Sequence, residues 1–260
     1  SLRAADRRAT VTVAGSATDG DFEAWAGEEG EASAADALAR LAKHADVESS
    51  ATWVTGRSVP SAILQYADQL DASLIVVGSG VDGPAGQITM TSKTSRLLHS
   101  SAVPVVIAPR GYLPQPGSRI ERVTLAFRDD DATWDLLERV AEICRRVGAD
   151  LRLLTVALKH RTMVTSGVRH NEALVYANLL SQVGAAQAEA IEHLAGKGVP
   201  ATTVVAEGSS WPDALQSVPF DDGDVIVVGS SSTHRLANVF LGSSAAKIVR
   251  NSPVPVVVVP

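Results

Sequence analysis

Gly229, two residues, Ser232, nine residues and then Gly242-Ser243 form the one spacing in this chain that could carry chemistry. Gly229 closes the apolar run Val225-Ile226-Val227-Val228, which reads as a buried strand. A glycine at a strand's carboxyl end lets a ligand approach the backbone. Gly242 and Ser243 then open a helical pattern. The free N–H groups and positive dipole end of such a helix suit a phosphate, and the hydroxyls of Ser243 and Ser244 add donors.

Other patterns fail on context. Gly78-Ser79-Gly80-Val81-Asp82-Gly83 fits a dinucleotide fingerprint, but Pro84 and Gly86 follow where a helix should begin. Ser244 to Lys247 has the S-x-x-K spacing without its companion motifs. Ser92-Lys93-Thr94 echoes the end of a P-loop without its glycines. The six His are scattered, with no metal-ligand spacing, and no Ser/His/Asp or paired-carboxylate set can be assembled, so neither a metal site nor an enzyme is expected. Cys144 lies on the apolar stripe of an expected helix beside Val140 and Val147 and reads as core.

The elements that must position Gly229 and Gly242 are set by a duplication. Leu74 to Ser79 returns as Val225 to Ser230, and Ser101 to Pro109 as Ser252 to Pro260, at one constant offset of 151 positions. That period is far longer than the roughly 20–50 residues of solenoid repeats and suits two compact α/β units. The second repeat reads as strand Val123–Phe127, helix Ala132–Val147 stopped by Gly148, strand Leu151–Ala157 and helix Asn171–Lys197. Strand Thr202–Ala206, helix Pro212–Val218, strand Val225–Val228, helix Ser243–Arg250 and strand Val256–Val259 complete it. Continuous Val/Ile/Leu strands alternating with helices indicate a parallel sheet covered on both faces, a doubly wound α/β domain.

The first repeat offers strand Thr10–Ala14, helix Glu31–His44, strand Thr52–Thr55, helix Val59–Leu70, strand Leu74–Val77, helix Ser92–Ser100 and strand Val105–Ala108. Nothing remains for a first strand and helix. Either about one βα unit is missing at the N-terminus or the domain is a genuine four-stranded one; the cost of omitting an interior parallel strand favours the former. The expected domains are 1–109 and 121–260, with 110–120 as linker.

Composition narrows the partners. The net charge of −6, with no basic stripe, disfavours nucleic acid. Apolar runs are too short to span a membrane, and a single Cys fits a reducing cytoplasm.

Gly229, Ser232, Gly242 and Ser243 resemble the Gly-x-x-Gly, nine residues, Gly-Ser/Thr pattern that the universal stress protein family carries, with Ser232 in place of the second Gly. The Val-Ile-Val-Val-Gly strand, the Pro-Val-Pro-Val-Val-Val-Val end and the Gly-x-x-x-Pro before the short helix extend the resemblance. The resemblance implies two Rossmann-like, universal-stress-type doubly wound domains in tandem. It implies a cytoplasmic stress-response protein that binds ATP or AMP as a signalling module. The alternatives are a ligand-free scaffold for an unknown protein partner and, third, a nucleotide hydrolase. The residues it implies in the second domain are Phe127, Arg128, Asp129, Val156, Gly229, Ser230, Ser232, Gly242, Ser243 and Ser244. ATP-binding relatives end the first strand with an Asp near the base and sugar; here Arg128 stands in its place, with Asp129 next. The first domain keeps Gly78 and Ser92 but has Val81 and Thr91 at the other glycine positions, a degenerate site. The family's dimer contact implies an intrachain pseudo-dimer in which Val103–Ala108 and Val254–Val259 pair antiparallel.

Overall fold

The computed structural model describes residues 8–16, 20–41, 48–115, 118–159, 166–230 and 241–260. In chain order the first repeat contributes β1 (Arg8–Ser16), α1 (Gly20–Leu41), β2 (Glu48–Gly56), α2 (Val59–Gln69), β3 (Ile75–Gly78), α3 (Ser92–Ser100) and β4 (Val105–Ala108). The second contributes β5 (Arg122–Ala126), α4 (Asp131–Val147), β6 (Asp150–Leu158), α5 (Ser166–Gly196), β7 (Ala201–Gly208), α6 (Trp211–Gln216), β8 (Asp224–Gly229), α7 (Ser243–Asn251) and β9 (Val256–Val259). The chain divides into two compact units, Ser1–Ile75 with Thr91–Pro104, and Val76–Met90 with Val105–Pro260.

In the first unit β1 and β2 pair in parallel, from Arg8 opposite Glu48 to Ser16 opposite Gly56. Helix α1 begins at Gly20, well before the expected Glu31, because Gly20, Gly27 and Gly30 masked a helical run. Gly30 has a packing reason: a Cβ there would fall 2.1 Å from the Trp53 ring, so the glycine lets helix and strand close together. Helix α2 starts with a reciprocal Ser58–Ser61 capping box and a proline in its first turn.

The second unit holds a seven-stranded sheet in the order β3-β4-β9-β8-β5-β6-β7. Within the second repeat this is fifth-fourth-first-second-third, with β5 central and parallel to both β6 and β8. One face carries α4 and α5 over a core that includes Leu125, Leu137, Val140, Leu153, Leu194 and Val227. On the other, Ala214 and Leu215 of α6 pack with Leu154, Ala206 and Val218. Asp130 caps α4 at its start and Gly148, at φ 74, ends it in the left-handed region. Cys144 is buried among these side chains, and burial pushes its thiol up to about 11, so it stays neutral. The last strands of the two repeats pair antiparallel as expected, Val105 opposite Val258 and Ile107 opposite Val256.

The same order applied to a repeat without its first strand yields two separate pairs, third with second and fourth with fifth. The first repeat shows these as β2-β1 and β3-β4. No counterpart of β5 or α4 occurs among its described residues. The consequence is visible in Ile-Val-Val-Gly, which both repeats share. Val227 is 5% exposed, packed with residues of β5 and α4, whereas Val76 is 64% exposed.

Identical residues at two depths should therefore respond differently. Val227→Ala is expected to cost about 2 kcal/mol from lost transfer energy plus a cavity. Val76→Ala should cost within about 0.5 kcal/mol, as at other exposed positions. Paired denaturant melts check this, and equal losses would contradict it.

Candidate functional site

The carboxyl ends of β5, β6 and β8 bring most of the expected residues to one end of the second repeat's sheet. The β5–β8 register, Leu125 opposite Val227, continued two residues, sets Phe127 beside Gly229. The Phe127 N–H donates to the Leu154 carbonyl at 2.8 Å, and its own carbonyl accepts from the Thr155 hydroxyl at 3.0 Å. The Phe127 side chain is in the core, edge-on to Trp134 at 5.6 Å, so only its backbone stands at the strand end. Val156, near the end of β6, is half-buried and packs toward the α6 side.

Arg128 does not extend freely. Its Nε is paired with Asp130, and Asp130 in turn accepts the Thr133 N–H at 2.9 Å to cap α4. Burial pulls the Asp130 carboxyl up, but the Thr133 hydrogen bonds and the Arg128 guanidinium outweigh it and hold its pKa below the usual value. Asp129 accepts the Trp134 indole N–H at 3.0 Å. The Trp134 ring sits between Phe127 and His193, and His193 of α5 and Lys197 just after it both bond Glu138 of α4. Sequence reading missed Trp134: it lies five residues from Asp129, and only the loop followed by a helical turn brings the two together.

Gly229 has a second role. A Cβ there would lie 3.1 Å from Leu136 Cδ2, so the glycine also lets α4 pack on the strand end. Ser230 follows, its N–H donating to the Val259 carbonyl at 2.8 Å. Ser232 lies outside the described residues. Gly242 is the N-cap of α7, with no side-chain hydrogen bond to the helix's first N–H groups, and the side chains of Ser243 and Ser244 are exposed.

The first repeat differs at each of these points. Its α3 is capped by Thr91, the residue in Gly242's place, whose hydroxyl accepts the Thr94 N–H at 3.1 Å. Gly78 ends β3 and Ser92 opens α3, and they belong to different compact units. The loop after Gly78 is tied to itself: Ser79 Oγ accepts the Thr89 N–H at 2.8 Å, and Arg110 donates from its side chain to the Gly83 carbonyl. Gly86 and Gln87 exchange backbone bonds with Arg110, and Ile88 is buried. Among the described residues no cluster of His, Cys, Asp or Glu could hold a metal ion, and no helix is long and apolar enough to cross a membrane.

A parallel sheet whose strands alternate with helices on both faces, in this strand order, defines a Rossmann-like α/β protein. The universal stress protein family model matches this chain twice, over residues 4–109 and 119–260. Universal stress protein Rv2319c of Mycobacterium tuberculosis and Mb2346c of Mycobacterium bovis are each 35% identical to it, over 98% of this chain and 87% of their own length. A crystal structure of a universal stress protein from Archaeoglobus fulgidus shares the fold, with a TM-score of 0.61 at 20% identity, covering 97% of this chain and 85% of that one. The chain belongs to the universal stress protein family, as two domains in tandem.

The Asp130 cap gives a test with a sign. Its carboxyl pKa is depressed in the folded state, so its stabilisation is complete above the unfolded carboxyl's pKa and is lost as pH falls through the folded value. Asp130→Ala should cost about 1 kcal/mol at neutral pH. The difference in Tm between parent and variant should shrink below about pH 4. A difference that grows on acidification would contradict the assignment.

Proposed function

We propose that this chain is a nucleotide-binding module of the stress response, acting in the cytoplasm. It takes one ATP or AMP in its second domain and signals by binding rather than by catalysis. The observation that carries this reading is the contrast between the two matching helices. In α7 the N-cap is Gly242, which among the described residues leaves the first N–H groups without a side-chain cap, beside the exposed Ser243 and Ser244. In α3 the same place is filled by Thr91, whose own hydroxyl takes the donor that a phosphate would need. Arg128 adds positive charge near this end, tempered by its pairing with Asp130.

A ligand-free scaffold is the second reading, and two observations favour it. Phe127 is buried in the core, and one side of Gly229 is filled by Leu136, so two residues of the resemblance's set also have packing roles.

Isothermal calorimetry with ATP and with AMP separates the two. The expected result is a single site per chain in the parent. Gly242→Thr, which copies the first repeat, should abolish the heat and leave the melting curve unchanged. A parent that binds neither nucleotide supports the scaffold, and a variant that binds as well as the parent removes Gly242 from the site. Release of inorganic phosphate from ATP by the parent but not by Gly242→Thr would favour the hydrolase.

A further inference from the structure

At the amino ends of β5, β6 and β7, opposite the Gly229–Gly242 end, lies a cleft of about 430 Å³ between the strand starts and the Pro219–Asp221 loop. Its volume falls in the lower part of the range of small-molecule sites, about 300–1,000 Å³. The wall is unusual for a sheet face. Arg152, 6% exposed, donates from Nε to the Thr124 hydroxyl at 3.0 Å, from Nη1 to the Pro219 carbonyl at 2.9 Å and from Nη2 to Asp224 at 3.3 Å. Phe220 stacks on its guanidinium at 5.0 Å. Asp224, 1% exposed, also accepts the Asp221 N–H at 3.1 Å and Arg122 Nη1 at 3.3 Å. This framework is fully bonded and therefore rigid.

Two guanidinium groups thus lean on one buried carboxylate. The remaining positive charge belongs to Arg122, whose other carboxylate contact is Asp221 at 3.5 Å. Both side-chain hydrogen bonds of Arg122 run through Nη1, so among the described residues its Nε and Nη2 have no acceptor. The Arg122–Asp221 contact is long, and the Asp221 side chain is 73% exposed. Exposed pairs of this kind contribute little, so a ligand can open it cheaply. Asp150 stands beside Arg122 in the strand register, and Pro200 and Pro219 supply apolar wall.

We propose that this cleft binds a free α-amino acid with an apolar side chain: Arg122 takes the carboxylate, Asp221 and Asp150 face the ammonium, and Pro200 and Pro219 pack the side chain. The pairing distance selects the ligand class. Once the pair opens, a guanidinium and a carboxylate that stay adjacent match charges that share one carbon, not the two ends of a long chain. A polyanion would meet Asp150 and Asp221, and a metal cation would meet Arg122 and Arg152. The site stands apart from the nucleotide reading, because its residues lie at the other end of the strands.

Calorimetry with L-leucine tests it, with 4-methylpentanoate and isoamylamine, each lacking one of its two charged groups, as the half-ligands. The parent should give saturable heat with L-leucine, and each half-ligand should bind about tenfold or more weakly. Arg122→Met and Asp221→Asn should each lose about tenfold or more in affinity, since each removes a charge-assisted hydrogen bond. Circular dichroism should be unchanged in both, and Gly242→Thr should bind L-leucine as the parent does. No saturable heat up to about 10 mM L-leucine overturns the proposal. So does undiminished affinity in folded Arg122→Met, or a half-ligand that binds as well as the amino acid. If Arg122→Met does not fold, Asp221→Asn alone decides by the same criterion.

Discussion

A parallel strand with neighbours on both sides must have both of its faces covered, and in the second repeat the central one is β5. Leu125 at its centre is fully buried, α4 folds back over one face, and Thr124 on the other face reaches Arg152. The strand fixes both ends of the domain at once. At its carboxyl end it delivers the Phe127–Asp130 turn next to Gly229; at its amino end it sets Arg122 between Asp150 and Asp224. Where no such strand is described, in the first repeat, the flanking strands appear as separate pairs and Val76 faces solvent.

The two repeats therefore show what sequence identity does not determine. Ile-Val-Val-Gly makes a strand in both places, but only the surrounding helix and strand decide whether its valines are core. The site obeys the same logic. Thr91, the counterpart of Gly242, gives α3 a side-chain cap that the start of α7 lacks among the described residues. The difference is one side chain, and its cause is the affinity of a hydroxyl for a free backbone N–H.

Much of the fold could be read directly. Helix Ser92–Ser100 and strand Val105–Ala108 have their expected bounds, because a hydroxyl N-cap and a proline-flanked Val/Ile run mark those ends locally. Helix α1 was legible only in its second half, since Gly30, which serves packing against Trp53, looks like a helix breaker until the partner is seen. At the site, the glycine spacing was visible, but the bond from Trp134 to Asp129 and the seat of Leu136 against Gly229 were not. Arg152 is the clearest case. A charge inside Leu151-Arg152-Leu153 gains meaning only from the strand order, which brings Thr124 and Asp224 alongside from β5 and β8.

The antiparallel seam between β4 and β9 joins two stretches of nearly the same sequence, Val-Val-Ile-Ala and Val-Val-Val-Val. Each could pair with its like from another molecule, so the seam is in constant competition with strand exchange. Covalent linkage decides that competition. A tether raises the local concentration of the correct partner to about the millimolar range, far above that of any free chain. Carrying both strands on one chain makes their pairing independent of concentration, so the edge stays closed even when the protein is scarce.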